Sequence, residues 1–151
     1  MPNYDFNKDL PIAKKTEREV GQLMQSKYTG FKVLKYGDDN RFDILASFQN
    51  KTMTFEVKED FTHAKTGNVG LEFSCRGKLS GISVSKAEYY IYKIHNADGT
   101  CGIYLFRTEV LKKMANDKLY FRIVNGGDVG SNSMNYLFKD YVFYKYAKKI
   151  G

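Results

Sequence analysis

Phe42-Asp43-Ile44-Leu45-Ala46-Ser47-Phe48-Gln49-Asn50-Lys51-Thr52-Met53-Thr54-Phe55-Glu56-Val57-Lys58-Glu59 alternates apolar and polar residues in two arms about a turn. Phe42, Ile44, Ala46 and Phe48 share one face of a first strand, and Met53, Phe55 and Val57 share one face of a second, because side chains two apart in a strand point the same way. A two-residue turn at Asn50-Lys51 predicts antiparallel pairing, with Phe48 opposite Met53, Ala46 opposite Phe55 and Ile44 opposite Val57. The other face then carries Asp43 across from Lys58, with Glu56 on the same side. A turn one residue longer would scatter these charges over both faces, so the apolar and charged patterns support one register independently.

Two carboxylates and an ammonium group converging on one point suit a hard divalent cation. Carboxylate oxygens hold Mg²⁺ while substrate phosphate and water complete its shell, and a nearby lysine orients or deprotonates the attacking water or neutralises charge on phosphorus. Opposite charges facing each other across an exposed strand pair are the alternative, and Glu-X-Lys by itself does not separate the two.

Asp43, a hairpin and then Glu56-Val57-Lys58 resemble the PD-(D/E)XK nuclease superfamily, whose core presents Asp and (Asp/Glu)-X-Lys on adjacent strands around a metal. Phe42 stands where the motif's name has proline. The segment Ala13-Lys14-Lys15-Thr16-Glu17-Arg18-Glu19-Val20 looks like the first helix of archaeal-type Holliday-junction resolvases. Gly67 to Glu72, Arg76-Gly77-Lys78, Ser80 to Ser83 and Lys86 to Tyr90 are similar to a passage of small phage-encoded members.

The resemblance implies an α/β protein with a restriction-endonuclease-like core, a central mixed β-sheet flanked by helices. It implies a Mg²⁺-dependent DNA endonuclease, with Mn²⁺ able to substitute, encoded by a phage or mobile element. Asp43, Glu56 and the Val57 carbonyl would hold the metal, Glu17 would contribute directly or through water, and Lys58 would serve the hydrolytic water. Lys86, in the helix that follows the Lys strand, would supply a further polar group. Both a structure-selective junction or flap nuclease and a sequence-specific homing or restriction-like endonuclease fit, and a non-catalytic nucleic-acid-binding module on the same fold is the competing class. A homodimer or higher homo-oligomer suits the enzymes, since one small domain with one site must pair to cut two strands.

The 151 residues suffice for one domain with a proper core. Lys and Arg number 24 against 17 Asp and Glu, a net charge of +7 that favours a polyanionic partner such as DNA. No apolar run is long enough for a membrane span, and Met1 to Lys15 has no signal-peptide core, so the expected location is the cytosol. Cys75, Cys101, His63 and His95 lack metal-ligand spacing, which argues against zinc and a disulfide framework and predicts buried, reduced thiols.

Taken in order, residues 1 to 10 read as a loosely anchored lead-in, and a helix is expected from Pro11, with Ala13, Glu17, Val20 and Met24 on one face. Glu17 on an apolar face calls for a purpose, because an unpaired buried carboxylate is costly, whereas Glu19 suits solvent. A first strand is expected at Phe31 to Tyr36, then a turn at Gly37-Asp38-Asp39-Asn40. Arg41, before the hairpin, can touch a phosphate or cap the strand. A loop containing His63 follows, then a strand at Val69 to Ser74 and a glycine-rich segment in which Arg76, Lys78 and Ser80 offer phosphate-bonding groups. Glu72 either reinforces the metal cluster or faces water.

Ser85 and Glu88 form a capping-box signature for a short helix. Asp98-Gly99 marks a hairpin joining Tyr89 to His95 and Cys101 to Arg107, and Thr108 is expected to cap a helix to Asn116 with Val110, Leu111 and Met114 inward. Leu119 to Val124 reads as a strand and Asn125 to Ser133 as a flexible loop without a P-loop ending, which excludes a nucleotide cofactor. From Tyr136 to Ile150 aromatics and lysines interleave, and neither helix nor strand periodicity prevails.

Overall fold

The computed structural model describes residues 6–39, 41–125 and 132–151. A long helix, α1 (Phe6–Lys27), leads into an antiparallel meander of β1 (Lys32–Asp39), β2 (Phe42–Phe48) and β3 (Lys51–Asp60). A one-turn helix, α2 (His63–Thr66), and the strands β4 (Asn68–Cys75) and β5 (Lys78–Leu79) follow, then a 3-10 turn at Gly81–Ser83. The chain continues through β6 (Tyr89–His95), β7 (Cys101–Arg107), α3 (Thr108–Asn116), β8 (Arg122–Asn125), β9 (Ser133–Lys139), α4 (Asp140–Lys145) and β10 (Lys148–Lys149).

The strands make two sheets. A six-stranded sheet has the order β1-β2-β3-β6-β7-β10, and a four-stranded sheet has the order β5-β4-β9-β8. The larger sheet is mixed: β6 runs parallel to β3, and every other pairing in it is antiparallel. The fold is therefore α/β with a mixed central sheet flanked by helices. One face of that sheet packs Ile44, Ala46, Phe55 and Ile91 against Val20 and Met24 of α1. The other face packs Tyr90, Tyr92, Ile94 and Phe106 against Val69 and Leu71 of the second sheet, Leu111 and Met114 of α3, and Phe143 of α4. Burying each such side chain contributes about 1.5–3 kcal/mol, so the alternation of β3 and β6 is what separates the two cores.

The central hairpin forms on the expected faces in a shifted register. Its turn is Gln49-Asn50, both at positive φ (51° and 64°), the twist a two-residue hairpin requires. Phe48 therefore pairs with Lys51, Ala46 with Met53 and Ile44 with Phe55. Moving the turn by one residue moves the pairing by two, which keeps every side chain on its face and sets Asp43 beside Glu56 instead of Lys58.

Several local expectations are corrected. The helix starts at Phe6 and runs through Pro11, so residues 6–10 are not a loose lead-in; residues 1–5 lie outside the described ones. Its packed face carries Thr16, Val20 and Met24, all buried, while Ala13 is exposed. Gly37, Asp38 and Asp39 extend β1 through an irregularity in its pairing with β2 and form no turn. Ser85 starts no helix: residues 85–87 are irregular and lead straight into β6. Thr108 is the first residue of α3, and Arg107 occupies the capping position without a side-chain bond. His63 is buried, its Nδ1 2.9 Å from the His95 carbonyl and its Nε2 3.1 Å from Asp140 Oδ2. Cys101 is exposed and Cys75 half-buried, since both lie next to hairpin turns. Of the expected loop at 125–133, residues 126–131 lie outside the described ones. The ambiguous tail holds strand and helix in succession, β9 and then α4.

Candidate metal and nucleic-acid site

Asp43 departs from the side of β2 facing away from α1, since its neighbours Phe42 and Ile44 are the buried ones. Its Oδ2 accepts the Val57 amide hydrogen at 2.8 Å. That bond draws the carboxylate against β3 just past the last ladder pair, Ile44 with Phe55. Glu56 and Lys58 leave β3 on the same face, with the Lys58 ammonium 3.5 Å from Glu56 Oε1. The parallel neighbour β6 adds Tyr90 beside Glu56 and Tyr92 beside Lys58.

Burial pushes the Asp43 carboxyl above its ordinary range, against the pull of the Val57 amide and Lys58. Burial likewise raises Glu56; Lys58 opposes this and Asp43 adds to it, as two carboxylates sharing a site must. For Lys58 burial works downward, but Glu56, Tyr90, Asp43 and Glu72 together hold it above its ordinary value. Tyr90 is 1% exposed, and its hydroxyl has no hydrogen-bond partner among the described residues. Ser85 stands close by without reaching hydrogen-bonding geometry. Sequence reasoning passed over Tyr90 because tyrosine in an apolar strand carries no chemical signal until the strand order sets it beside Glu56.

Next to the cluster, Lys58 and Tyr90 open onto a cavity of about 560 Å³ between the two sheets, whose wall includes Glu72, Gly70 and Asn135. Glu72 reaches it from β4, and its Oε2 accepts the Ser80 hydroxyl at 3.0 Å. Ser80 is thereby tied to Glu72, whereas Arg76 stands exposed on the β4–β5 turn, Lys78 exposed at the start of β5, and Arg41 exposed before β2. Glu17 is half-buried on α1, in the layer covering the opposite face of the sheet. Lys86 is exposed on the irregular segment before β6 and lines a different cavity. The geometry thus unites Asp43, Glu56 and Lys58 and adds Tyr90 and Glu72, while Glu17 and Lys86 stand in other surroundings.

The donor set fits a hard cation. Among the described residues no three His, Cys, Asp or Glu side chains form a metal-ion cage. Mg²⁺ asks for less: one or two carboxylates, with water and phosphate oxygens completing an octahedral shell. Asp43 and Glu56 supply two, and the Val57 carbonyl lies between Glu56 and Lys58 in the chain. Set against known families and curated proteins, the chain matches no family model and no curated sequence.

Proposed function

We propose that the protein is a metal-dependent DNA nuclease with a PD-(D/E)XK-type site. The observation that carries this reading is the 2.8 Å bond from the Val57 amide to Asp43, which brings a second carboxylate to Glu56 and Lys58 on one face. Keeping two carboxylates together where burial disfavours both ionised forms costs stability, and a divalent cation relieves that cost. A net charge of +7 suits a polyanionic substrate.

In this reading Asp43, Glu56 and the Val57 carbonyl hold Mg²⁺ or Mn²⁺. When bound, the ion polarises the scissile phosphate and lowers the pKa of a water. Lys58 orients the attacking water or neutralises charge on the phosphate oxygens. Arg41, Arg76 and Lys78 contact the backbone, and the core topology is restriction-endonuclease-like. Junction, flap and sequence-specific substrates are all compatible with this site.

The test compares supercoiled, linear, branched and single-stranded DNA with Mg²⁺, Mn²⁺, Ca²⁺ and EDTA. Cutting with the first two metals and binding without cutting in Ca²⁺ are expected. Cutting that persists in EDTA removes the metal mechanism, and failure to cut any substrate promotes the binding-module reading.

A further inference from the structure

His95 and Cys101 are paired directly across the β6–β7 ladder, at the end next to the hairpin turn. Both side chains leave the sheet on its α1 side, the side of Ile91 and Ile103, because residues two or four apart in a strand point the same way. Asp43, Glu56 and Lys58 project from the opposite face, so this pair belongs to a separate place in the fold.

The Cys101 sulfur lies 3.3 Å from His95 Nδ1. The other ring nitrogen, Nε2, lies 2.6 Å from Glu59 Oε2, and Glu59 Oε1 accepts the Thr16 hydroxyl at 2.5 Å. A carboxylate only accepts, so Nε2 carries the ring proton and Nδ1 of the neutral imidazole turns a lone pair to the thiol. Phe61 stacks on the imidazole, with centroids 4.3 Å apart and planes 16° apart, and holds the ring in that orientation. Glu59 is 13% exposed and His95 25%, whereas Cys101 is exposed. The orienting groups are thus shielded while the sulfur meets solvent. Lys93, on the same face, is already paired with Glu19 of α1 at 2.9 Å. Sulfur and carboxylate approach opposite nitrogens of one ring, so the three groups cannot close on a metal ion.

A nucleophile bonded to a base that a third group orients is the arrangement that activates a thiol. We propose that Cys101 is a nucleophilic modification site, with His95 as its base and Glu59 as a positioning residue, and that its co-reactant is a small-molecule disulfide. A disulfide brings its own leaving group and needs no oxyanion donors, unlike an acyl substrate. The Cys101 sulfur attacks one sulfur of the disulfide as its proton passes to His95 Nδ1. The old S–S bond breaks, and the leaving thiolate takes that proton from His95. Cys101 is oxidised to a mixed disulfide and one small thiol is released. Cys75, the other cysteine of the chain, lies in the small sheet that packs on the opposite face, so a small thiol from solution reverses the modification. This site shares no residue with the metal cluster and does not rest on the nuclease reading.

The experiment follows modification of the full chain by glutathione disulfide and by cystamine at neutral pH, using mass spectrometry. A peptide of residues 98–104 gives the reference rate. Both reagents should modify Cys101 about tenfold faster than the peptide, and ahead of Cys75. A wild-type rate no faster than the peptide's overturns the site. Acceleration with anionic glutathione disulfide and none with cationic cystamine assigns the effect to the charge of Lys93 and overturns the role of His95.

His95→Ala should fall to the peptide's rate and recover when imidazole is added; an unchanged rate overturns its role as base. For Glu59 the readout is the ring itself. ¹H–¹⁵N spectra of wild type should show His95 protonated at Nε2, and Glu59→Gln, whose amide can donate to that nitrogen, should lose this tautomer and react more slowly. A wild-type ring protonated at Nδ1 overturns the proposal without any variant.

Discussion

The Asp43 carboxylate is held to the Val57 amide at 2.8 Å, so a side chain of β2 takes up a backbone donor of β3 where their ladder ends. The same bond holds the Asp43 carboxylate on the face from which Glu56 and Lys58 project. Mg²⁺ is therefore expected to stabilise the wild-type fold, by about 2.7 kcal/mol at a hundredfold excess over its dissociation constant. Thermal melts should show this as a rise of several degrees, absent in Asp43→Asn and in Glu56→Gln. Equal Mg²⁺ stabilisation of wild type and both variants would contradict the site.

Lys58→Ala is expected to lose cutting while keeping DNA affinity in Ca²⁺ within a few fold, because its ammonium group is paired with Glu56 at 3.5 Å and serves the reacting water more than the grip on the strand. Single-turnover cleavage and a binding assay in parallel check it. Lost cutting and lost affinity together would make Lys58 a binding residue only.

Much of this site was legible in the sequence because strand alternation survives an error in register. The turn sits at Gln49-Asn50 instead of Asn50-Lys51, yet a two-residue shift in pairing leaves Asp43, Glu56 and Lys58 on one face. The hairpin of β6 and β7 and the span of α3 were legible for a similar reason: Asp98-Gly99 and the Leu111–Met114 spacing are local signals. The second sheet was not, because β4 finds its partner β9 far along the chain, and no local pattern names a distant partner. Ser85 misled for the opposite reason: a capping-box pattern is two residues, and the extended path into β6 overrides it.

Glu59 ties three elements together. Its Oε1 accepts the Thr16 hydroxyl of α1 at 2.5 Å, and its Oε2 lies 2.6 Å from His95 Nε2 of β6. Glu59→Leu should cost about 1–3 kcal/mol, the penalty for leaving buried Thr16 unpaired, and Glu59→Gln should cost less. Urea unfolding of the two variants measures the difference; equal stability in all three proteins would contradict it.

Gly81 has φ +52°, and a Cβ built there would lie 2.1 Å from the backbone oxygen of Glu72. Gly81→Ala is expected to cost about 1–3 kcal/mol from backbone strain alone. It should also displace Glu72, which loses its contact with Ser80. Denaturant unfolding tests the first effect, and a wild-type midpoint would refute it.

At the tip of the β6–β7 hairpin, bonds from the Thr100 hydroxyl and amide hold the Asp98 carboxyl below its ordinary value of 3.8. A carboxyl lowered in the folded state favours folding above its unfolded pKa, and this contribution is lost as pH falls through the lowered folded value. NMR titration should show the Thr100 amide moving with a midpoint below 3.8. Movement centred above that value would reverse the sign.

Pairing Asn68 with Lys139 encloses the whole of β6, β7 and α3 in one loop, whereas Phe48 meets Lys51 across a single turn. Long closures lose chain entropy before their contacts return it. Refolding should therefore proceed in two acts, the meander and the β6–β7 hairpin first and the small sheet afterwards. Pulse-labelled hydrogen exchange would then protect the Ile44 and Ile91 amides before those of Leu71 and Phe138; simultaneous protection would contradict that order. Because the wall opposite Lys58 belongs to the late sheet, a chain caught between the two acts would carry its acidic pair in an open groove.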